Sequence, residues 1–154
     1  MCGPEFTNRP RGGALAALSA PNNKPRCSDC LNGDLAFHTP GQPGSSEATH
    51  ARFTPSQDHQ IDDVEKLRIV IHSIGDMTKA ASDCGLFHQF TLPATNLRNK
   101  YIELPLERPL SLEVGKDGII GRRVSMFSGR ESGPDIVLAE GIVGYNFLEH
   151  RSAL

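Results

Sequence analysis

The segment "LRIVIHSIGDMTKAASD" (Leu67–Asp83) decides how the second half of this chain is interpreted. Its apolar residues, with one just before it, recur at steps of three and four, as on one helical face: Val64, Leu67, Ile71 and Ile74. Asp62 can cap the first free amides of such a helix, and Glu65 completes the spacing of a capping box. The β-branched run "RIVI" is also typical of a strand, but the caps favour a helix.

The same segment contains a break. Gly75 is a natural end for the helix, since glycine enters a left-handed C-terminal cap without strain. Asp76 can then cap a second short helical run, "MTKAASD". We therefore predict a helix, a break that exposes Met77 and Thr78, and a further helix.

Beyond Gly85 the pattern changes to a period of two residues, which is typical of strands. Four segments show it: "LFHQFTL", "KYIELPLE", "GIIGRRVSMFSG" and "DIVLAEGIVGYNFL". The turn-forming segment "SGRESGPD" joins the last two, so we predict an antiparallel hairpin there. Helices followed by an antiparallel meander predict an α+β domain over residues 61–154, with an antiparallel sheet flanked by helices.

Residues 1–60 contain seven of the eleven prolines, few large aliphatic residues and no sustained period. A segment of this kind buries too little apolar area to offset the entropy lost on ordering, so we predict a disordered leader. A transit peptide is the alternative, because Glu5 is the sole acidic residue before Asp29.

Composition excludes several classes of function. The net charge is −2, and acidic and basic residues are mixed along the chain, which argues against a nucleic-acid or anionic-membrane partner. No apolar run approaches the roughly 20 residues of a membrane-spanning helix. We expect a soluble, cytoplasmic protein whose partners are small molecules or proteins.

A zinc site is the one metal site that the sequence suggests. Cys27 and Cys30 form a CxxC motif, and His38 and His50 follow it. The two histidines are too far apart in sequence for one turn to present both, and no second CxxC is present. We therefore expect reduced thiols, and neither a metal nor a cofactor.

Two charges lie in the predicted hairpin among apolar residues. Alternation places Arg122 on the face of Val124 and Met126, whereas Arg123 shares a face with Ser125. A buried guanidinium must be paired, because an isolated charge in an apolar setting costs several kcal/mol. Glu140 on the neighbouring strand is the structural partner that we favour for Arg122, and a ligand carboxylate is the functional alternative.

Three motifs carry a resemblance to a known family. They are "LRIVIHSIGDMTKAASD", "HQFTLPATN" and "GRRVSMFSGRESGPDIVLAEGIV". In this order and at similar spacing, over about residues 64–148, they resemble the N-terminal half of the chorismate pyruvate-lyase (4-hydroxybenzoate synthase) family. The resemblance implies an antiparallel sheet flanked by helices, an internal pocket, and removal of pyruvate from chorismate to leave 4-hydroxybenzoate without metal or cofactor.

The resemblance also implies a substrate-binding set. Arg122 matches the family's strand arginine that holds the ligand carboxylate, and Met77 matches the broken helix that offers backbone groups to the ligand, with Thr78 next to it. Glu140 matches an acidic position of some relatives. The further family segment that brings a carboxylic acid to the ligand has no counterpart before the chain ends at "GYNFLEHRSAL", so no catalytic residue is assigned.

Three functions therefore stay open at this point. The first is a lyase that acts on chorismate, and the second is a non-catalytic module of the same fold that binds a small aromatic carboxylate. The third is a truncated, vestigial fragment. An uncovered sheet edge predicts self-association in each of these cases.

Overall fold

The computed structural model describes residues 12–20, 32–55, 66–79, 83–93, 101–115, 117–128 and 137–146. Of these residues, 67% lie in strands and 1% in helix. The predicted α+β fold is therefore wrong, because the sheet has no flanking helices in the part of the chain that the structure describes. The architecture is nearly all β.

In the described residues, nine strands form the sheet. Their bounds are β1 Ala14–Leu18, β2 Gly33–His38, β3 Glu47–Pro55, β4 Lys66–Ile71, β5 His88–Pro93, β6 Ile102–Val114, β7 Gly118–Ile120, β8 Arg123–Ser128 and β9 Val137–Tyr145. The spatial order is β5-β4-β8-β9-β1-β2-β3-β6-β7. All neighbours are antiparallel except β6 and β7, which are parallel.

The sheet curls into a half-barrel, and its concave face holds the core. The ring of Phe37 on β2 meets that of Phe90 on β5 edge-on, with centroids 6.1 Å apart, although four strands separate β2 from β5 in the sheet. The largest fully buried side chains include Leu35, Phe37, Phe53, Leu67, Ile69, Ile71, Leu92, Ile119, Val124, Met126 and Val143. On each strand they alternate with residues of the convex, outer face.

The predicted disordered leader is wrong for the described part of residues 1–60, because residues 12–20 and 32–55 contribute β1, β2 and β3. Phe37 and Phe53 are fully buried, and β1 pairs with β9 from the other end of the chain. Each of these strands carries few large apolar residues, so its buried apolar area is small until distant strands complete the face. Residues 1–11, 21–31 and 56–60, with the CxxC motif, lie outside the described residues, whereas part of the proposed transit signal forms β1, and its targeting role stays a prediction.

The predicted helix at Leu67 is strand β4, which pairs with β5 on one side and β8 on the other. Leu67, Ile69 and Ile71 are all fully buried, so the true period is two residues. Leu67 and Ile71 are four residues apart, a spacing that fits one face of a helix as well as one face of a strand. The position of β4 between β5 and β8 favours the strand, because β-branched residues pack well in a buried sheet. The predicted caps at Asp62 and Glu65 lie outside the described residues.

Gly75 ends no helix and does not have a positive φ. It permits a close approach of two backbones instead, since a Cβ on Gly75 would lie 2.1 Å from the carbonyl oxygen of Gly121. Asp76 does cap the following turn, because its Oδ1 accepts a hydrogen bond of 2.9 Å from the Thr78 amide. Met77 and Thr78 form a turn where the second helix was predicted to begin, and residues 80–82 of that predicted helix lie outside the described residues.

The strands predicted beyond Gly85 are confirmed. β5 lies within or next to "LFHQFTL", β6 extends through "KYIELPLE", and β8 pairs with β9 as the predicted antiparallel hairpin. β6 continues to Val114, well beyond the predicted segment. The short β7 adds Ile119 and Ile120 to the core, and the residue after it bonds back to Val143 of β9.

Candidate functional site

A buried ion pair joins β8 to β9 on the outer face of the sheet. Ser125 lies opposite Glu140 in the register, so Arg123, two residues away, shares that face. The Nη2 atom of Arg123 lies 2.6 Å from Oε2 of Glu140, and Arg123 is 3% exposed. The predicted pairing of Glu140 with Arg122 is therefore wrong, because the outer face is also covered at this point.

The cover over this pair is the connection between β4 and β5, residues 72–87, of which 80–82 lie outside the described residues. Nη1 of Arg123 donates hydrogen bonds of 3.0 and 2.7 Å to the carbonyls of Asp76 and Lys79. It also lies 3.6 Å from Sγ of Cys84, a buried cysteine. Together with the Glu140 carboxylate these acceptors fix the connection against β8, while Nε of Arg123 has no partner among the described residues.

Arg122 precedes β8 and holds the same connection from another side. Its guanidinium donates to the carbonyls of Gly118 (2.6 Å), Ser73 (2.6 Å) and Gly115 (3.0 Å). Its Cζ also lies 3.8 Å from the ring centroid of Phe87. The fork that the resemblance assigned to a ligand carboxylate thus binds backbone carbonyls, and its role toward a ligand stays a prediction.

The other predicted ligand residues lie in the connection itself. Met77 is half-buried and Thr78 is exposed. Both the amide and the hydroxyl of Thr78 donate to Asp76, and these hydrogen bonds hold the pKa of that carboxyl below its usual value. The carbonyl before Met77 is bound to Arg123. The structure therefore brings the Glu140 carboxylate and the carbonyl before Met77 to Arg123 rather than to Arg122.

His72 joins this polar cluster to β4. Its Nδ1 lies 2.9 Å from the carbonyl oxygen of Gly85, which can only accept, so Nδ1 carries the proton. Its Nε2 lies 2.8 Å from Oγ of Ser125 and accepts that hydroxyl. Burial lowers the pKa of His72, and the nearby Arg123 lowers it further. The imidazole is therefore neutral at physiological pH.

The Ser125–His72 distance matches that of a nucleophile and its base. Ser125 is fully buried, however, and it does not line the adjacent cavity. A hydroxyl that no substrate reaches cannot act as a nucleophile. We therefore assign the pair a structural role, which is to fix the ring of His72 and, through it, the position of Gly85.

The adjacent cavity has a volume of about 610 Å³ and lies on the outer face over β4, β5, β8 and β9. It is lined by Arg68, Val70, His72, Gly85, Leu86, Gln89, Phe127 and Val137. The strand register explains why these lining residues lie together. Arg68 lies opposite Phe127, and Val70 lies opposite both Ser125 and Gln89. The connection between β4 and β5 adds Gly85 and Leu86 as one wall.

The cavity has a polar side and an apolar side. Cζ of Arg68 lies 4.7 Å from the ring centroid of Phe127, and its Nη1 donates a long hydrogen bond of 3.4 Å to Gln89. The remaining wall is made by aliphatic side chains and the Phe127 ring: Val70, Leu86 and Val137. The sequence interpretation missed Arg68 because it placed "RIVIH" on a helix, whereas strand alternation puts Arg68, Val70 and His72 on one face.

A second polar cluster lies on the outer face of β2, β3 and β6. Nε2 of His38 lies 2.7 Å from Oε1 of Glu103, and Nε of Arg52 donates to the same oxygen at 3.1 Å. Burial raises the pKa of Glu103, but the hydrogen bonds from His38 and Arg52 outweigh this and lower it. Arg52 also stacks on Tyr101, with Cζ 4.2 Å from the ring centroid. The cluster is internally paired and faces no cavity among those described.

Comparisons with known proteins do not assign a function to this site. No protein-family model matches the chain, and no curated protein matches it significantly. In the described part of the chain, no three His, Cys, Asp or Glu side chains are grouped to hold a metal ion. Within the same residues, no helix has the length and hydropathy needed to cross a membrane.

Proposed function

We propose that this protein binds a small carboxylic acid with an apolar, preferably aromatic, body in the cavity beside Arg68. The observation that carries the proposal is a guanidinium placed at the edge of an otherwise mostly apolar cavity. A planar guanidinium holds a carboxylate through two parallel hydrogen bonds, and these are strongest where water is partly excluded. A volume of about 610 Å³ lies within the usual range for small-molecule sites.

The walls of the cavity are fixed before any ligand binds. β4 is paired on both sides, and the Arg68 guanidinium lies across the Phe127 ring. The opposite wall is held by Arg122, by Arg123 and by the bond from His72 to Gly85. A site of this kind loses little conformational entropy on binding, which favours affinity for a small ligand.

Lyase activity on chorismate is the second candidate. The observation that favours it is that the first segment of the resemblance supplies Arg68 and Val70 from β4, and His72 just after it, to the cavity. The reaction needs an oriented substrate and stabilised charge on the departing oxygen, and it needs no nucleophile. Among the described lining residues no carboxylic acid is present, so binding without turnover is the proposal that we favour.

A cytoplasmic location stays a prediction.

Isothermal titration of the full chain with 4-hydroxybenzoate tests the proposal. We expect Arg68→Gln to weaken binding by about 10- to 100-fold, the range for loss of a charged hydrogen-bond partner. Lys66→Gln is the matched control, because Lys66 lies two residues away on the same face, carries the same charge and does not line the cavity. Equal affinities for the parent and Arg68→Gln would refute the proposal.

The same protein incubated with chorismate separates the two candidates. Chromatography would detect 4-hydroxybenzoate and pyruvate if the lyase activity is present. Turnover that is lost in Arg68→Gln and kept in Lys66→Gln would establish the lyase, whereas binding without product would leave a binding module.

A further inference from the structure

His72 and Arg123 are cross-strand neighbours on the outer face of the sheet. The last register pair of β4 and β8 on this side is Ile71 with Val124, and the His72 amide then donates a hydrogen bond of 2.8 Å to the Arg123 carbonyl. Both residues are 3% exposed. Like charges placed directly opposite each other in a sheet are destabilising. A proton on His72 would therefore create an unfavourable pair inside the buried polar cluster.

A single carboxylate faces these two basic side chains in the described residues. Oε2 of Glu140 lies 2.6 Å from Arg123, which already uses its charge. Burial lowers the pKa of His72, Arg123 lowers it further, and Glu140 offsets only part of this. The titratable and charged groups of the elements around His72 are Arg68 on β4, Cys84 in the connection between β4 and β5, Arg123 on β8 and Glu140 on β9.

The hydrogen bonds of His72 also disfavour a second proton on its ring. Nδ1–H donates to the Gly85 carbonyl, and Nε2 accepts the hydroxyl of Ser125. Protonation of Nε2 would place two hydrogens between the ring and Oγ, so the buried hydroxyl would have to turn away. Glu140 lies opposite Ser125 in the register and already accepts from Arg123. A turned hydroxyl would therefore compete with Arg123 for this carboxylate.

The same cluster holds the connection between β4 and β5 against the sheet. Arg123 donates to the carbonyls of Asp76 and Lys79, and His72 donates to that of Gly85. If the connection lifts, water reaches the imidazole and the guanidinium, and the repulsion between their charges falls steeply because water has a high dielectric constant. Protonation of His72 therefore favours a state in which the connection has left the outer face.

We infer that a proton on His72 releases the connection while the rest of the sheet stays folded, so that the connection acts as an acid-sensitive cover. In the open state the ring binds a proton near the usual histidine pKa of about 6.5, whereas the closed state binds it only at lower pH. The open population should rise by up to about tenfold per pH unit below this value. Gly85 and Leu86 belong to the cover, so its release also removes one wall of the cavity, whichever ligand the cavity holds.

Hydrogen–deuterium exchange of the full chain between pH 7.5 and pH 5.5, corrected for intrinsic exchange rates, tests the inference. The amides of Ser73 and Ile74, bonded to the Cys84 carbonyl, report on the cover. The amide of Leu112, bonded to the Ser46 carbonyl, reports on a distant part of the sheet. We expect the protection of Ser73 and Ile74 to fall by up to about tenfold per pH unit while that of Leu112 stays nearly constant. Constant protection of Ser73 and Ile74, or an equal loss at all three amides, would overturn the inference.

Two variants test the assignment to His72. His72→Asn keeps an N–H donor toward Gly85 and cannot be protonated, so the protection of its cover should not depend on pH in this range. His88→Asn is the matched control, because His88 is also half-buried with a lowered pKa but has Arg108 and Glu107 of β6 as its charged neighbours. A pH dependence that persists in His72→Asn, or that is lost in His88→Asn, would overturn the assignment. The comparison of amides within the parent protein decides the inference even where His72→Asn lowers the stability.

Discussion

Two adjacent arginines illustrate how much one residue's position decides. Arg123 is buried and paired with Glu140, whereas Arg122 lies at the surface of the same connection and binds three carbonyls. Their sequence neighbourhoods are nearly identical, and alternation separates their faces correctly. Alternation cannot predict that the outer face is covered at this point, because the covering residues 72–87 belong to the connection between β4 and β5. The face taken to be exposed is therefore the one that buries the charge.

Replacement of Arg123 should destabilise the protein far more than replacement of Arg122. Arg123→Met leaves the Glu140 carboxylate buried without its partner, a change that costs about 3–5 kcal/mol. Arg122→Met removes hydrogen bonds to carbonyls that water can reach, so we expect about 1–2 kcal/mol. Urea unfolding followed by circular dichroism measures both.

The double variant Arg123→Met/Glu140→Leu provides the control for this prediction. Removal of both charges should recover much of the stability lost in Arg123→Met, since two apolar side chains can replace a buried pair at little cost. If Arg122→Met proved as damaging as Arg123→Met, the assignment of the buried pair would be contradicted.

Among the elements, the hairpin of β8 and β9 was predictable and β4 was not. Turn formers and alternation over "GRRVSMF" and "IVLAEGIV" are local signals, and they suffice for two strands adjacent in sequence. The segment "RIVI" is compatible with a helix or a strand by itself. It forms strand β4 because β5 and β8 pair with its two edges. β1 to β3 were not predicted for the same reason, because their apolar residues form a continuous buried face only once β1 pairs with β9.

The cavity was the least predictable feature. It depends on the register that places Arg68 opposite Phe127 and Val70 opposite Gln89, and on a connection that returns to the outer face. No local pattern encodes either. The resemblance included the segment that contains Arg68. Within that segment, however, it assigned Met77 and Thr78 to the ligand and did not assign Arg68.

The connection between β4 and β5 should be sensitive to a single methyl group at Gly75. The added Cβ in Gly75→Ala would lie 2.1 Å from the carbonyl of Gly121, and neither backbone can yield without moving the connection. We expect a loss of about 1–3 kcal/mol, as for overpacked sites, together with weaker binding of 4-hydroxybenzoate because the Gly85 wall shifts.

Gly144→Ala is the control for this variant. Gly144 lies in β9, and an added Cβ meets nothing within 4 Å. Its unfolding midpoint and its ligand affinity should match those of the parent. A Gly75→Ala protein with parental stability and affinity would show that the close approach of the two backbones does not fix the cavity wall.

At the scale of the molecule, the curled sheet leaves β5 and β7 at the two ends of the strand order. The self-association predicted from an uncovered edge therefore concerns these two strands, and light scattering on the purified protein tests it.

A single sheet built from both halves of the chain also implies one cooperative unfolding transition. The fragment hypothesis predicts a broad transition instead.

The stability of the whole sheet should fall as the pH drops below about 6.5. Burial lowers the pKa of His38, His72 and His88 below the usual histidine value of about 6.5. The unfolded chain therefore binds protons at these sites before the folded chain does, so protonation favours unfolding between 6.5 and the lower folded values. Stability should be constant above this window, and each unit of pKa lowering contributes about 1.4 kcal/mol to the loss.

Urea midpoints measured between pH 5 and pH 8 test this dependence. His72→Gln should be less stable than the parent at every pH, because its bonds to Gly85 and Ser125 change, but its midpoint should decline less steeply below pH 6.5. A midpoint that rises as the pH falls would contradict the prediction, because it would require the folded protein to take up these protons first.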